Sequence, residues 1–297
     1  MRGEAYLSAG PGIRPLTDRE FTAFQALIYQ DAGIYLSDVK KALLVGRLSR
    51  RIRELGLDSF GAYYDHVVDP RNPTERVELI NAICTHETHF FREPRQFEYL
   101  EQVILPRWRA AAETGQRPKR VRAWSAGCSS GEEPFSIAMS LLSLCPPSQG
   151  WTVEVLATDV STRVLERARA AVWPIARSAQ IPPAYLKRFM LRGKGEHFEE
   201  MKAGPEIRAA VRFSQLNLNT GPYSIAGDFD LIFCRNVLIY FNAASKERAV
   251  RQLLARLVPD GYLFLGHAET LNGLVEQPVP SAAPRAAIPT VYTRSPR

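Results

Sequence analysis

The chain has 297 residues, of which 45% are apolar and 23% are charged, values typical of a globular protein with a hydrophobic core. No apolar run approaches the roughly 18 residues that a membrane-spanning helix needs, and residues 1–15 lack the apolar stretch of a secretory signal. The net charge of +7 leaves both nucleic acid and acidic protein surfaces open as partners.

The cysteines are widely separated in the sequence: Cys84, Cys128, Cys145 and Cys234. No two of them form a CxxC pair, and no spacing matches a set of metal ligands, so we predict no metal site. Reduced and mostly buried thiols are typical of cytosolic proteins, and we therefore expect a cytoplasmic location.

The first third of the chain predicts a helical domain. Residues 1–15 are interpreted as a flexible tail and residues 16–95 as an all-α domain. Thr17 and Glu20 have the spacing of a capping box, which predicts that a helix starts there. Apolar periodicity and turn residues predict further helices over 39–55, 60–68 and 74–84, the first of them ended by Gly56.

The second of these helices carries a basic run from Val39 to Arg53 without any acidic residue. The i,i+4 ion pairs expected of a merely solvated helix are therefore missing from the run. We predict that the run contacts an acidic substrate through Lys40, Arg47, Arg50 and Arg51. A solvated helix face remains the alternative.

From about residue 96 to residue 297, strands alternate with helices, which indicates an α/β domain with a mostly parallel sheet. The predicted strands cover 121–126, 153–157, 229–234 and 261–266, and the predicted helices 132–144, 161–171 and 244–257. Glycines and a proline interrupt this alternation over about residues 185–213, where we predict a small insert. A Pro/Ala-rich stretch at 278–289 is interpreted as a loop.

Three predicted strand ends carry residues suited to a ligand, because ligands of open α/β sheets bind at the carboxyl ends of the strands. Gly127 and Gly131 follow the first strand, Asp159 follows the second, and Arg235-Asn236 follows a later one. Asp159 can accept hydrogen bonds from the ribose hydroxyls of an adenosine cofactor, or it can cap the next helix near Ser161.

The residues after the first strand distinguish between cofactors. A dinucleotide fingerprint requires three glycines, whereas this loop has two and is followed by Glu132-Glu133. Two acidic residues would repel a pyrophosphate but not a cationic sulfonium or ammonium group. Adenosine combined with a positive centre describes S-adenosylmethionine.

Several ordered segments strengthen this interpretation. They are Thr88-His89-Phe90-Phe91-Arg92-Glu93, Trp124 to Met139, Ala157-Thr158-Asp159-Val160-Ser161, Phe233 to Phe241, and Gly266-His267-Ala268-Glu269. The set resembles the chemotaxis-receptor glutamate methyltransferases, the CheR family, from about residue 16 to about residue 294. The resemblance implies an all-α N-terminal domain, then a doubly wound, Rossmann-like methyltransferase domain with a small antiparallel β insert.

The resemblance also implies roles for individual residues. Arg92 and Tyr240 are the expected catalytic residues. The expected contacts to S-adenosylmethionine, or to its product S-adenosylhomocysteine, are His86, Thr88, Arg92, Glu133, Asp159, Asn217, Leu218, Arg235 and Asn236. His86 stands where the family usually has Asn, and a histidine can still donate a hydrogen bond.

The implied reaction is methyl transfer to glutamate side chains of chemoreceptor helices by a monomeric enzyme that is not inserted in a membrane and binds no nucleic acid. Some family members also bind a receptor C-terminal peptide at an Arg-Gly-x-Gly loop of the insert, which implies that Gly193 and Gly195 contact the substrate. An ordinary hairpin turn is the alternative for that loop. A non-catalytic cofactor-binding module and a nucleic-acid methyltransferase are the alternative functions.

Overall fold

The computed structural model describes residues 12–272, 274 and 285–294. The helical domain packs four helices around one apolar core. They are α1 (Asp18–Ala32), α2 (Lys41–Glu54), α3 (Phe60–Val68) and α4 (Glu75–Ile83). The predicted capping box is confirmed: the Thr17 side chain accepts from the Glu20 amide, and the Glu20 carboxylate accepts from the Thr17 amide at 2.8 Å.

Residues 1–11 of the expected tail lie outside the described residues. Residues 12–15 differ from the expectation of flexibility, because Ile13 is buried in the helical core. Arg14 donates its backbone N–H to the Asp58 carbonyl at 2.8 Å. This short segment therefore belongs to the helical domain.

A connecting helical region leads into the α/β domain through α5 (Pro94–Tyr99), a π-helical turn at Leu100–Ile104 and α6 (Leu105–Glu113). The strands and helices that follow are β1 (Arg120–Ala126), α7 (Glu132–Leu144), β2 (Thr152–Asp159), α8 (Thr162–Ala170), β3 (Val172–Pro174), α9 (Pro183–Phe189), β4 (Met190–Arg192), β5 (Glu200–Ala203), α10 (Pro205–Ala210), β6 (Val211–Gln215), β7 (Phe229–Cys234), α11 (Ala243–Ala255), β8 (Leu257–Leu265), β9 (Arg285–Ile288) and β10 (Val291–Thr293).

The main sheet has the strand order β6-β2-β1-β7-β8-β10-β9. The first five of these strands are parallel to one another, and β10 is antiparallel to its neighbours. The chain leaves β1 toward β2 and β6 and later returns to β7 on the other side of β1. The order therefore reverses beside β1, and such a switch point opens a crevice at the carboxyl ends of the strands. The doubly wound fold is confirmed.

The insert is a separate antiparallel sheet of order β3-β5-β4. It begins earlier than predicted, at Val172, and its last strand ends at Ala203. The predicted boundary at residue 213 is wrong, because Val211–Gln215 pairs in parallel with β2 at the edge of the main sheet. The reason is length: strands of three or four residues show too few alternations for a period to be recognised.

The expected loop at 278–289 is also corrected where the structure describes it. Residues 285–288 form β9, which pairs with β10, whereas residues 278–284 lie outside the described residues. Among the described helices, none combines the length and apolarity needed to cross a bilayer.

Candidate active site

A cavity of about 240 Å³ lies between the helical domain and the carboxyl ends of β1, β2 and β7. This volume is just below the roughly 300–1,000 Å³ of typical small-molecule sites. Every residue predicted for the cofactor or for catalysis lines it: His86, Thr88, Arg92, Glu133, Asp159, Asn217, Leu218, Arg235, Asn236 and Tyr240. The fold thus brings together side chains that are far apart in the sequence.

The two glycines after β1 are required by close packing. A Cβ on Gly127 would lie 2.4 Å from Val237 Cγ2, in the loop after β7, and one on Gly131 would lie 3.1 Å from the Ala168 Cβ of α8. Both glycines also have positive φ angles, 90° and 98°. The Gly127 amide donates to the Thr158 carbonyl at 2.8 Å, which holds the loop beside the end of β2.

Asp159 ends β2 with its carboxylate facing this loop. One carboxylate oxygen accepts from the Ser129 amide at 2.9 Å and the other from the Ser161 amide at 3.0 Å. The cap of α8 is Ser161, whose side chain accepts from the Val164 amide. Asp159 therefore supports the helix start without being its cap. Since a carboxylate oxygen can accept more than one hydrogen bond, both oxygens keep capacity for ligand hydroxyls.

Glu133 and Arg235 form a buried ion pair in the cavity wall, with 2.7 Å between Glu133 Oε2 and Arg235 Nε. Ser125 donates its hydroxyl to the other oxygen of Glu133 at 2.6 Å. Arg235 also donates to the Arg92 carbonyl at 2.5 Å and to Gln96 Oε1 at 3.2 Å. The Arg235 guanidinium therefore holds the wall together and compensates the charge of Glu133. Such a pair is costly to break, because removal of one partner leaves a buried charge.

The neighbouring Glu132 does not line the cavity. Its carboxylate accepts from the Ser130 hydroxyl at 2.7 Å and lies 3.9 Å from Arg177. Burial raises the pKa of Glu132. Only one of the two adjacent acidic residues is therefore available to a cationic ligand.

The segment that carries His86, Thr88 and Arg92 lines the cavity and forms neither helix nor strand. Its backbone is held from both sides: Ser129 donates its hydroxyl to the His86 carbonyl at 3.2 Å, and Arg177 donates to the Thr88 carbonyl at 2.8 Å. Among the described residues, His86 Nε2 is buried without a hydrogen-bond partner. Burial lowers the pKa of this histidine. A neutral ring with an unpaired nitrogen at a cavity wall is suited to a ligand hydrogen bond.

Four non-glycine residues around the cavity adopt positive φ angles. They are Phe91 (51°), Glu93 (60°), Ser129 (48°) and Asn236 (59°). Such conformations cost on the order of 1–3 kcal/mol each and persist where surrounding contacts enforce them, frequently at functional sites. The backbone of the cavity is therefore held in place by its surroundings.

The helical domain closes the cavity through contacts with two loops of the α/β domain. Asn217 donates its side-chain amide to the Asp31 carbonyl at 2.6 Å, and the Tyr35 amide donates to the Tyr240 carbonyl at 2.8 Å. Gly33 lies so close to Asn219 that a Cβ would be 2.2 Å from the asparagine Cβ. The relative position of the two domains thus determines the shape of the site.

The predicted substrate contacts are only partly brought to the cavity. Lys40 lines it, with Nζ 6.0 Å from the centre of the Tyr240 ring. Arg47 lies outside the lining and donates to the Cys84 carbonyl and the Thr85 hydroxyl, both at 3.1 Å. These bonds make Arg47 a support for the segment that enters the site.

Arg50 and Arg51 also have acidic partners within the protein. Arg51 Nη2 lies 2.6 Å from the buried carboxylate of Glu75, and Arg50 Nε lies 2.8 Å from Glu54 at i,i+4 spacing. The argument from missing ion pairs is therefore wrong. Glu54 follows the basic run directly, and Glu75 approaches from α4, which no pattern in the run itself could indicate.

Gly193 and Gly195 lie in the insert and do not line the cavity. A Cβ on Gly193 would lie 1.8 Å from the His197 carbonyl oxygen, and its amide donates to the Glu200 carbonyl at 2.9 Å. The hairpin itself therefore requires this glycine. Nothing lies within 4 Å of a Cβ on Gly195.

Sequence reasoning assigned no role to two carboxylates that organise the site. Glu269 is buried and accepts from three backbone amides around Asn236. Glu93 accepts from the Asn236 side chain at 3.3 Å and from the His267 amide at 3.1 Å. Both lie in segments that carry the family resemblance, which was the only available signal, because their bonds to the Asn236 loop connect residues 30 or more positions apart.

The fold and the cavity define an S-adenosylmethionine-dependent methyltransferase. A sequence profile described as the CheR methyltransferase SAM-binding domain matches residues 86–284, and one described as the CheR methyltransferase all-alpha domain matches residues 19–84. The chain belongs to the CheR methyltransferase family.

Full-length relatives agree with this assignment. The chemotaxis protein methyltransferase of Salmonella typhimurium is 39% identical over 88% of this chain and 87% of its own length. Chemotaxis protein methyltransferase 2 of Pseudomonas aeruginosa is 40% identical over 85% and 87%, respectively. The solved N-methyltransferase NodS from Bradyrhizobium japonicum, in complex with S-adenosyl-l-homocysteine, is 14% identical over 69% of this chain and 70% of NodS, with a TM-score of 0.32.

Proposed function

We propose that the protein transfers a methyl group from S-adenosylmethionine to glutamate side chains of chemoreceptor cytoplasmic helices, forming methyl esters. The observation that supports this most directly is that every residue predicted for the cofactor or for catalysis lines one and the same cavity. The names of the relatives, chemotaxis protein methyltransferases, indicate the class of substrate.

The residues of the cavity fit the cofactor. Asp159 retains acceptor capacity for the ribose hydroxyls, and His86 Nε2 is a buried nitrogen that needs a partner. Asn217 and Leu218 would lie on the adenine side, and Asn236 on the methionyl side. When bound, S-adenosylmethionine supplies an electrophilic methyl group on a sulfonium.

The substrate needs little acid–base assistance, because a glutamate carboxylate with a pKa of about 4.3 is already ionised at neutral pH. The main task of the protein is then to align the carboxylate, and alignment contributes several kcal/mol, about 7–11 in favourable cases. Arg92 would pair with the carboxylate of the cofactor or of the substrate, and Tyr240 would lie beside the transferred methyl. Thr88 would fix the methionyl end.

The residues that both line the cavity and are exposed mark its opening: Leu43, Thr85, Glu87 and Ile239. Lys40 is partly buried, lines the same cavity as Leu43 and would attract the incoming carboxylate. We assign the electrostatic contact with the substrate to Lys40 first. Arg47, Arg50 and Arg51 already bind groups within the protein and would contact the substrate only in addition to those hydrogen bonds.

The role of Lys40 is tested by Lys40→Gln, with Lys41→Gln as a matched control. Lys41 is the next residue but pairs with Asp18 at 2.7 Å and does not line the cavity. Lys40→Gln is expected to raise KM for receptor several-fold at low salt and to leave cofactor affinity unchanged, whereas Lys41→Gln leaves KM unchanged. Equal KM values for both variants and the wild type would remove Lys40 from the substrate site.

The reaction itself is tested with radiolabelled methyl donor and receptor cytoplasmic fragments from the same organism. A glutamate methyl ester releases volatile methanol in base, whereas methylated nitrogen does not. Receptor fragments with Glu→Gln substitutions in the methylation helices are the matched control. Label that resists base, or label in neither fragment, would contradict the proposal.

A receptor tail would bind at the edge of the insert. Among the described strands, β4 pairs with β5 alone, so its other edge is available to add a peptide strand. Two large apolar side chains of the insert, Leu191 and Phe198, are exposed. Arg192 and Lys194 would pair with an acidic group of the peptide. Such tethering would raise the local concentration of enzyme toward millimolar for a short linker.

Substitution of Gly193 cannot test this tether, because any side chain there breaks the hairpin. Leu191→Lys changes the exposed edge and leaves the glycine in place, and Val103→Lys introduces the same change at an exposed position outside the insert. Calorimetry with peptides copied from receptor C-termini should give micromolar binding that only Leu191→Lys abolishes. If no such peptide binds the wild-type protein, the loop is only a hairpin turn.

A further inference from the structure

The carboxylate of Glu269 is buried at the junction of the loops that follow β7 and β8. Its Oε2 accepts from the Asn236 amide at 2.8 Å and from the Gly266 amide at 2.7 Å, and its Oε1 accepts from the Ile239 amide at 3.2 Å. One side chain therefore satisfies three backbone donors on two loops. Hydrogen bonds to an ionised acceptor are roughly twice as strong as neutral ones.

The junction has no spare room. A Cβ on Gly266 would lie 2.7 Å from the Asn236 nitrogen and 2.8 Å from Glu269 Oε2. Asn236 has a φ of 59°, in the left-handed region that asparagine adopts more readily than other non-glycine residues. Glu269 supports this conformation by accepting a hydrogen bond from the Asn236 amide.

The loop held in this way carries residues of the candidate active site. Asn236 and Tyr240 both line the cavity, and Ile239 lies at its opening. Glu93 holds the side chain of Asn236, while Glu269 holds its backbone. Glu269 itself does not line the cavity.

We propose that Glu269 is a positioning residue of the cofactor site, which fixes the backbone of residues 236–239 so that Asn236 faces the cofactor. This inference rests on the proposed function of the cavity and on the proposed contact of Asn236. It assigns to Glu269 an effect on cofactor affinity that is transmitted entirely through the loop.

The test is a double-mutant cycle with Glu269→Gln and Asn236→Ala, read by calorimetric titration with S-adenosylhomocysteine. Glutamine has the shape of glutamate but turns an N–H group toward the backbone donors. Each single variant is expected to weaken binding about tenfold. Because Glu269 acts through Asn236, the double variant should bind within about twofold of Asn236→Ala alone. Additive losses would indicate general destabilisation and overturn the inference.

Glu247→Gln is the matched control, because Glu247 is a partly exposed glutamate on α11 that pairs with Arg251 and does not line the cavity. It should bind as the wild type does. If Glu269→Gln does not fold, Glu269→Asp replaces it in the cycle, since it keeps the charge but withdraws the carboxylate by one methylene. If Asn236→Ala binds normally, both the Asn236 contact and the inference fail. If Asn236→Ala binds weakly and the Glu269 variant binds normally, only the positioning role fails.

Discussion

Asp159 is fixed by two backbone amides and still faces the cavity, so it is the residue at which cofactor binding is most directly tested. Asp159→Asn removes the charge and one acceptor. Charge-assisted hydrogen bonds contribute about 1.5–3 kcal/mol, so the Kd for S-adenosylhomocysteine should rise about 10- to 150-fold. Glu154→Gln, an exposed residue of the same strand, should leave Kd unchanged. Calorimetric titration of both folded variants with S-adenosylhomocysteine measures the two Kd values. An unchanged Kd for Asp159→Asn would exclude the ribose contact.

His86 makes the stability of the protein depend on pH. Burial lowers its pKa, opposed by Asp159 and assisted by Arg163 and Arg47. Below the usual histidine pKa of about 6.5, the unfolded chain therefore binds a proton that the folded protein resists. By linkage, the free energy of unfolding falls as the pH drops through this range.

The matching variant is His86→Asn, which keeps a hydrogen-bond donor at this position and removes the titratable ring. Burial also lowers the pKa of His89, so the informative quantity is the difference between wild type and variant. Chemical denaturation at about pH 8 and about pH 5.5 should show a smaller loss of stability in the variant. Equal losses of stability in the wild type and the variant would mean that folding does not change the pKa of His86.

Among single residues, those at strand ends were predictable and those that hold them were not. Asp159 and Asn236 follow apolar runs whose position in a parallel sheet predicts that they meet. Glu269 acts on residues about 30 positions away, and no local pattern encodes such pairs. Arg235 also follows an apolar run, but its ion pair with Glu133 inside the cavity wall joins residues 102 positions apart and was not predictable.

At the scale of elements, the basic residues of α2 pair with acidic residues of the same protein and so stabilise the helical domain. Arg51 makes two hydrogen bonds to Glu75, at 2.9 and 2.6 Å, and Tyr63 donates to the same carboxylate at 3.0 Å. Glu75→Gln should therefore lower the free energy of unfolding by about 1–3 kcal/mol, because buried donors lose their acceptor. Arg50→Gln, at an exposed ion pair, should leave Tm unchanged.

Thermal unfolding followed by circular dichroism measures this difference between the two variants. Receptor KM provides a second measurement, since an arginine that binds substrate would change KM without changing Tm. A normal Tm for Glu75→Gln would show that the Arg51 pair contributes little to the helical domain. The element was predictable from its apolar stripe, but the partners of its charged face were not.

At the scale of the whole molecule, the two domains pack closely where Gly33 of the helical domain meets Asn219 of the α/β domain. Its φ is 72°, and a Cβ would collide with Asn219, which neighbours the cavity residues Asn217 and Leu218. Gly56 is the matched control, because its φ is 68° but nothing lies within 4 Å of its Cβ. An alanine costs about 1–2 kcal/mol of backbone strain at either position.

Only Gly33→Ala should also displace the domains. We expect a larger loss of Tm in Gly33→Ala than in Gly56→Ala, together with a several-fold loss of affinity for S-adenosylhomocysteine in Gly33→Ala alone. Scanning calorimetry and ligand titration measure the two effects. Identical behaviour of the two variants would show that the domain contact adjusts without affecting the site.

The domain order and the doubly wound sheet were predictable, because long periodic segments and ordered motifs carry them. The insert was predicted in kind but not in extent, since three-residue strands such as β3 and β4 have no measurable period. The closure of the cavity by the helical domain was not predictable. It depends on contacts such as Tyr35 to Tyr240, whose partners are 205 residues apart.

The four free cysteines are buried, so the rate at which each is alkylated reports local opening of the structure around it. Cys84 lines the cavity, Cys128 and Cys234 lie in or next to its loops, and Cys145 ends α7 away from it. Burial raises the pKa of Cys84 to about 12 and that of Cys145 to about 11, so alkylation by a thiolate-specific reagent must wait for local opening. Bound S-adenosylhomocysteine should therefore slow the labelling of Cys84 more than that of Cys145. Mass spectrometry of labelled peptides would then measure the rate of local opening at the site without any engineered probe.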